Sequence, residues 1–234
     1  MQVFYAPDIT ADTYELNENE SRHLIRVLRK TKGTAVQLID GRGNLYQGII
    51  ETADQKKCII VIINKIIDFE KRNYKLHIAI SPLKNTERFE WFLEKSVELG
   101  VDQITPVICR NTEKQGFKAE RLNNIIISAM KQSLKATGTI LNSPCPFNQL
   151  IAAETQSKGL IAHCNESFDR KKISDVCSPN ENVLILIGPE GDFSEEEIKT
   201  AISKDFISVH LGGSRLRTET AGIAACHSVY FINQ

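Results

Sequence analysis

The chain has no surplus of charge of either sign: 29 Lys and Arg balance 29 Asp and Glu over 234 residues. Bulk electrostatics therefore advertise neither nucleic acid nor an anionic surface, and any such role has to rest on local patches. Long apolar runs are missing too. The most apolar stretch, Cys58 to Ile67, is broken by Asn64 and Lys65 and is far too short to span a bilayer as a helix. The opening residues, Met1-Gln2-Val3-Phe4-Tyr5-Ala6-Pro7-Asp8, lack a basic stretch followed by an apolar one. No secretory signal is expected, and the cytoplasm is the expected compartment. None of the six cysteines, at 58, 109, 145, 164, 177 and 226, forms a Cys-x-x-Cys pair, and the five histidines supply no His-x-x-x-His pair. No zinc or other metal site is expected, and the thiols are read as reduced and mostly buried. Phosphate-binding glycine motifs are also absent. No Gly-Lys-Ser/Thr follows Gly188, and no Gly-x-Gly-x-x-Gly follows the first strand of the alternating region, which argues against a P-loop or a standard dinucleotide fold. There is no internal repeat and no low-complexity tract.

What remains is an ordinary globular composition, 41% hydrophobic and 25% charged, enough for one large domain or two smaller ones. The first seventy residues differ from the rest. Ala35–Asp40, Asn44–Glu51 and Lys57–Ile67 are strand-like, with Asp40-Gly41-Arg42-Gly43 as a hairpin signal. Glu18 to Lys30 predicts a short amphipathic helix with Leu24, Val27 and Leu28 inward. This part, residues 1–70, reads as a small β-barrel-like domain, with Asp68–Asn73 as the candidate linker.

From Tyr74 onward, in a second domain over 74–234, strands and helices alternate. Strands are predicted at Lys75–Ile80, Gln103–Cys109, Gly159–His163, Val183–Ile187 and Ile207–Leu211, and helices over Thr86–Leu99 and Lys118–Lys135. The pattern indicates an α/β domain with a mostly parallel sheet and helices on both faces. Ser194 and Glu197 form a Ser-x-x-Glu capping box, with Phe193 and Ile198 as its hydrophobic staple, so a helix starts at Glu195.

Two glycine-bearing turns carry most of the functional signal. One is Ile187-Gly188-Pro189-Glu190-Gly191, after an apolar strand; the other is Leu211-Gly212-Gly213-Ser214-Arg215-Leu216-Arg217-Thr218-Glu219-Thr220-Ala221, opening the last helix. Glycine lets backbone polar groups approach a ligand, and two such loops at neighbouring strand ends make a crevice. An adenine ring and an amino-acid moiety, which need backbone polar groups but no phosphate cradle, suit it.

Arg217 is a candidate for holding an anion, and Glu219 for orienting a substrate or accepting a proton; an ion pair is the competing reading. Arg22, Arg26 and Arg29, spaced i, i+4 and i+7, are expected on one helix face, where guanidinium groups suit an RNA backbone; a solvated surface face is the alternative. Glu94, Lys95 and Glu98 read as a charged outer face, and His163 as a core histidine at a strand end.

His23-Leu-Ile-Arg-Val-Leu-Arg29, Glu90-Trp-Phe-Leu-Glu-Lys-Ser-Val-Glu-Leu-Gly100 and the two glycine turns, in that order, resemble the bacterial 16S rRNA (uracil-N3)-methyltransferases of the SPOUT superfamily nearly end to end. The resemblance implies a PUA-like N-terminal β-barrel and a C-terminal α/β domain whose chain forms a trefoil knot, a rare exception among folds. It implies a homodimer that binds S-adenosylmethionine through Ile187, Gly188, Glu190, Gly191, Leu211, Gly212, Ser214 and Leu216. It also implies methyl transfer to N3 of a uridine in 16S rRNA, within the small ribosomal subunit, with Arg217 and Glu219 as catalytic residues. Three positions depart from the family pattern: Gln2-Val3-Phe4-Tyr5 stands where Arg-Phe-Phe is usual, Asp192 where a glycine follows Pro-Glu-Gly, and Gln132-Ser133-Leu134-Lys135 where Gln-Ser-x-Arg is usual. The alternatives are a ribose 2′-O-methyltransferase of the same superfamily, and a non-catalytic RNA-binding or ribosome-assembly factor.

Overall fold

The computed structural model describes residues 3–113, 116, 118–153 and 157–234, so Gln2 of the variant N-terminal motif lies outside the described residues. Two units divide the chain: Met1–Lys71 together with Ile127–Gly138, and Arg72–Ile126 together with Thr139–Gln234.

In the first unit, strands β1 (Val3–Tyr5), β2 (Thr13–Glu15), β3 (Ala35–Ile39), β4 (Leu45–Thr52) and β5 (Ile59–Ile66) form a curled sheet in the order β1-β3-β4-β5-β2. β3, β4 and β5 pair antiparallel around a core that includes Phe4, Leu16, Leu38, Ile50 and Ile60. The β3–β4 turn is organised by the buried Asp40, which accepts from the backbone N–H groups of Arg42 and Asn44 and from Asn44 Nδ2. Burial opposes its ionisation, but the hydrogen bonds from Asn44, Arg42 and Tyr46 hold its carboxyl below the usual range.

The helix expected over Glu18–Lys30 is the main departure in this unit. Only Glu18–Arg22 (α1) is α-helical; His23–Val27 winds as a wider π-type turn, and Arg29 sits at φ +54°, beyond the helix. The wider winding rotates the side chains. Leu24 is fully buried, whereas Val27, expected inward, is 62% exposed. Arg22, Arg26 and Arg29 are all exposed but do not form one helical row, and Arg22 is paired to Glu18 at 2.6 Å.

The second unit holds strands β6 (Leu76–Ile80), β7 (Gln103–Ile108), β8 (Ile140–Leu141), β9 (Cys145–Pro146), β10 (Lys158–Ala162), β11 (Lys171–Lys172), β12 (Val183–Ile187) and β13 (Ile207–His210). The sheet runs β11-β13-β10-β12-β6-β7-β8, with β9 beside β7, and every pairing is parallel. β12, Val-Leu-Ile-Leu-Ile, is buried along its whole length, as a central parallel strand covered on both faces should be. On one face, Ala79, Val107, Ile161, Leu184 and Leu186 share a core with α4 (Phe147–Ala153) and α6 (Glu195–Ile202). On the other lie α2 (Thr86–Glu98) and α7 (Thr218–Ile232): a Cβ on Gly222 of α7 would stand 2.6 Å from Phe92 and 3.1 Å from Ile80. Gly222 thus lets α7 seat directly against α2 and β6. α3 (Ala119–Gln132) and the one-turn α5 (Ile173–Val176) complete the set.

β12 and β13 flank β10 on opposite sides. The chain leaving β12 goes to α6 on one face, and the chain leaving β13 goes to α7 on the other. The loops after β10, β12 and β13 therefore gather at the carboxyl ends of the strands, where open α/β sheets bind ligands.

Candidate functional site

These three loops wall a cavity of about 420 Å³, within the range of small-molecule sites. Of the residues singled out in the sequence, Ile187, Gly188, Glu190, Leu211, Gly212, Ser214, Leu216, Arg217 and Glu219 line it. Gly191 is not among the lining residues; its carbonyl accepts from Asn111 Nδ2 at 3.3 Å. The two turns use glycine differently. Gly188 is compact because Phe193 lies 3.0 Å from where a Cβ would stand, whereas Gly212, at φ +118°, has open space there. Gly212 is the point at which the backbone itself faces the cavity.

The Gly188 turn is held from several sides. Ser81 N–H donates to the Ile187 carbonyl at 3.0 Å, and Asp192 N–H to the Pro189 carbonyl at 2.9 Å. The capping box behind it forms as expected: Ser194 Oγ accepts from Glu197 N–H at 3.2 Å, and Glu197 Oε2 from Ser194 N–H at 2.8 Å. Phe193 and Ile198 are buried in the same core. Asp192, at φ +62°, takes the left-handed conformation that glycine favours. Its carboxylate accepts from Cys164 N–H and from its own neighbour Phe193 N–H, both at 2.8 Å, so it fastens the β12 loop to the β10 loop.

Arg217 is the N-cap of α7, yet its side chain makes no capping bond; it is exposed at the cavity wall. Two residues on, Glu219 is buried, its side chain 10% exposed, with Arg88 Nε of α2 3.8 Å from Oε1. Arg88 lines the cavity and was not signalled by the sequence, where it is one charge among several on an amphipathic helix. Arg170 and His210 also line the cavity and were not signalled, since each belongs to a loop or strand end with no motif of its own.

His163 is buried, as a core histidine should be, but it also lines the cavity. Its Nε2 pairs with Ser208 Oγ at 3.0 Å, while Nδ1 is buried without a partner. Burial pushes its pKa down, Asp192 pulls it up and Arg170 adds to the lowering; the net shift is downward and the ring is neutral at pH 7. Glu94 and Glu98 both bond Lys95, the charged outer face expected of α2. Among the described residues no His, Cys, Asp or Glu cluster could hold a metal.

Comparison with known proteins places these features in context. A family model described as an RNA methyltransferase domain matches residues 70–230, and one described as an RNA methyltransferase PUA domain matches residues 16–63. The ribosomal RNA small subunit methyltransferase E of Bacillus subtilis is 24% identical over 233 residues, covering 94% of this chain and 91% of the relative. Its namesake from Mesomycoplasma hyopneumoniae is 33% identical over 168 residues, covering 69% of this chain and 72% of the relative. Among solved structures, a probable rRNA-methyltransferase from Porphyromonas gingivalis superposes with a TM-score of 0.94 at 42% identity, over 100% of this chain and 98% of that one. The ribosomal RNA small subunit methyltransferase E of Neisseria gonorrhoeae bound to S-adenosyl methionine superposes with a TM-score of 0.90 at 27% identity, over 100% and 98%.

Proposed function

This chain belongs to the RNA methyltransferase family whose domain model spans residues 70–230, and on that premise we propose that it methylates N3 of one uridine in 16S rRNA of the small ribosomal subunit. It is an S-adenosylmethionine-dependent rRNA methyltransferase. We read residues 1–70 as a PUA-like, RNA-binding β-barrel and residues 74–234 as a SPOUT domain with a trefoil knot, working as a homodimer in the cytoplasm. No helix among the described residues is long and apolar enough to cross a membrane.

The observation that carries this reading is the cavity itself. It joins apolar wall (Ile187, Leu211, Leu216), open backbone at Gly212, and polar side chains, Arg217 and Glu219 among them. The residues fit S-adenosylmethionine by their chemistry. The glycine turns and apolar side chains suit the adenine, and Arg and Glu side chains suit the two charged ends of the amino-acid part. The orphaned His163 Nδ1 offers one further hydrogen-bonding position. When bound, the cofactor supplies a methyl group activated on a sulfonium.

The acceptor nitrogen of uracil becomes nucleophilic only once N3–H is lost, which spreads negative charge over the flanking carbonyl oxygens. Arg217, exposed at the cavity wall, is placed to stabilise that charge or the adjacent phosphate. Glu219, fixed at the start of α7 with Arg88 beside it, positions the base. Arg22, Arg26 and Arg29 remain exposed cations for RNA phosphates, acting from separate directions rather than as a row.

The test uses isotopically labelled S-adenosylmethionine and small subunits lacking the modification, followed by digestion and mass spectrometry of nucleosides. Labelled 3-methyluridine is expected. A labelled 2′-O-methyl nucleoside would keep the cofactor site and overturn the N3 assignment.

A further inference from the structure

The first unit has its own cavity, of about 560 Å³, which the cofactor site does not use. Two of the motifs that mark the family meet there: His23, which opens the first, and Gln132, which opens the Gln-Ser-Leu-Lys element of α3. Glu20 and Lys131 also line it and form an ion pair whose side chains are 13% and 25% exposed. That pairing occupies only Glu20 Oε1. Oε2 is buried with no hydrogen-bond partner among the described residues, so the carboxylate is held with half of its accepting capacity unmet. Beside the polar groups, the half-buried His23 ring packs on the core residue Phe4, centroids 6.4 Å apart, so His23 is the aromatic ring open to the cavity.

An ion pair kept largely from water, next to aromatic surface and amide groups, resembles no phosphate site. A phosphate would meet the Glu20 carboxylate and be repelled. It is suited to a flat, neutral group that carries hydrogen-bond donors and acceptors side by side, which describes a nucleobase edge. Single-stranded RNA is read this way, with bases splayed out, packed on aromatic rings and bonded on their Watson–Crick edges. Each carboxylate oxygen can accept two hydrogen bonds, so a rotation of the side chain can turn both oxygens to the cavity while one of them keeps Lys131. The exposed Arg22 and Arg26, on the same turns as His23, stand outside for the backbone phosphates.

We propose that this cavity receives one unstacked guanine of the rRNA substrate, with Glu20 accepting from its N1–H and N2–H groups and Lys131 donating to its O6. Guanine alone sets two adjacent N–H donors beside a carbonyl on that edge. Adenine and cytosine offer one amine beside a bare ring nitrogen, and uracil a single N–H. The proposal rests on the RNA-methyltransferase reading above and deepens it: the first unit reads sequence as well as holding backbone.

Two measurements test it on the full chain. In the first, labelled protein is titrated with millimolar GMP, IMP, AMP, CMP or UMP, and the His23 and Gln132 signals are followed by NMR. GMP should move them most, and IMP, which lacks the N2 amine, should bind about tenfold more weakly, one hydrogen-bonded contact's worth of discrimination. Equal responses to all five, or none, would overturn the proposal. In the second, Glu20→Gln is assayed on small subunits. KM should rise about tenfold or more at near-constant kcat, with affinity for S-adenosylmethionine unchanged, because the residue acts in substrate binding. An unchanged KM in a folded variant would sink the guanine pocket while leaving the methyltransferase reading intact. If the wild-type enzyme itself failed to methylate small subunits, that reading would fall, and the nucleotide titration would still report on the cavity.

Discussion

Replacing Asp192 separates backbone conformation from hydrogen bonding at the loop that shapes the cofactor cavity. The residue sits at φ +62°, and its carboxylate takes the N–H groups of Cys164 and Phe193 at 2.8 Å each. Both Asp192→Gly and Asp192→Ala remove these two bonds, at about 1 kcal/mol apiece in a partly exposed site. Alanine keeps the left-handed strain of about 1–2 kcal/mol that aspartate already bears at φ +62° and that glycine relieves. Glycine gives back about 0.4–1 kcal/mol of that advantage through the extra freedom of its unfolded chain. The expected losses relative to wild type are thus roughly 0.5–2 kcal/mol for glycine and about 2 kcal/mol for alanine. For a chain of this length a kcal/mol shifts Tm by about 2–4 °C, so thermal melts should rank Asp above Gly above Ala, with a gap of a few degrees between the last two. At an ordinary position alanine outlasts glycine. An alanine variant as stable as the glycine one, or more so, would show that the left-handed backbone at 192 does not constrain the loop.

Two further outcomes follow from the same cavity. Arg217→Ala should lower kcat by about 10²–10³-fold, the usual cost of one charge-stabilising donor, while calorimetric affinity for S-adenosylmethionine stays within a few-fold; near-full turnover would remove Arg217 from the chemistry. His163 is held neutral by burial, with Asp192 and Arg170 acting in opposite senses on it, and its folded pKa lies below the unfolded value near 6.5. A lowered folded pKa means that the unfolded chain takes up the proton first, so this stabilisation is full above pH 6.5 and is lost as pH falls. Denaturant melts of wild type and His163→Asn, compared at pH 7.5 and 5.5, should show a smaller pH loss in the variant; parallel losses would mean that the ring protonates freely in the folded state.

The longer strands, the capping box at Ser194 and both glycine turns were legible because each is written in local residue chemistry: a buried Val-Leu-Ile-Leu-Ile, a Ser with Glu three residues on, glycine after a strand; the short β1, β2, β8, β9 and β11 carry too few residues to show a pattern and were not. The order of the parallel strands was not, because burial on two faces says that a strand is central without naming its neighbours. The π-type turn at His23–Val27 left no trace either. Residue spacing fits a 3.6-residue repeat there, and only packing of Leu24 into the sheet core decides otherwise. Arg88 shows the limit most clearly. It lies 131 positions before Glu219, and its chemistry depends on α2 and α7 packing face to face, which Gly222 permits by having no side chain.

That packing also resolves why a chain with no net charge can manage an anionic transition state. Four arginines line the cofactor cavity, Arg88, Arg170, Arg215 and Arg217, against the carboxylates of Glu190, Asp192 and Glu219. Their commitments differ. Arg88 faces Glu219, and Arg170 donates to the His163 carbonyl at 2.8 Å. Asp192 is spent on two backbone N–H groups. Arg215 and Arg217 form no ion pair with a described residue. The positive charge unpaired with described residues is therefore concentrated at the start of α7, beside the Glu219 carboxylate. On the proposed function, charge that would be screened and diluted if spread over the surface is fixed where a deprotonated uracil would need it. A neutral total is compatible with this because the proposed catalysis draws on the local arrangement of unpaired groups, not on the sum of charges over the whole chain.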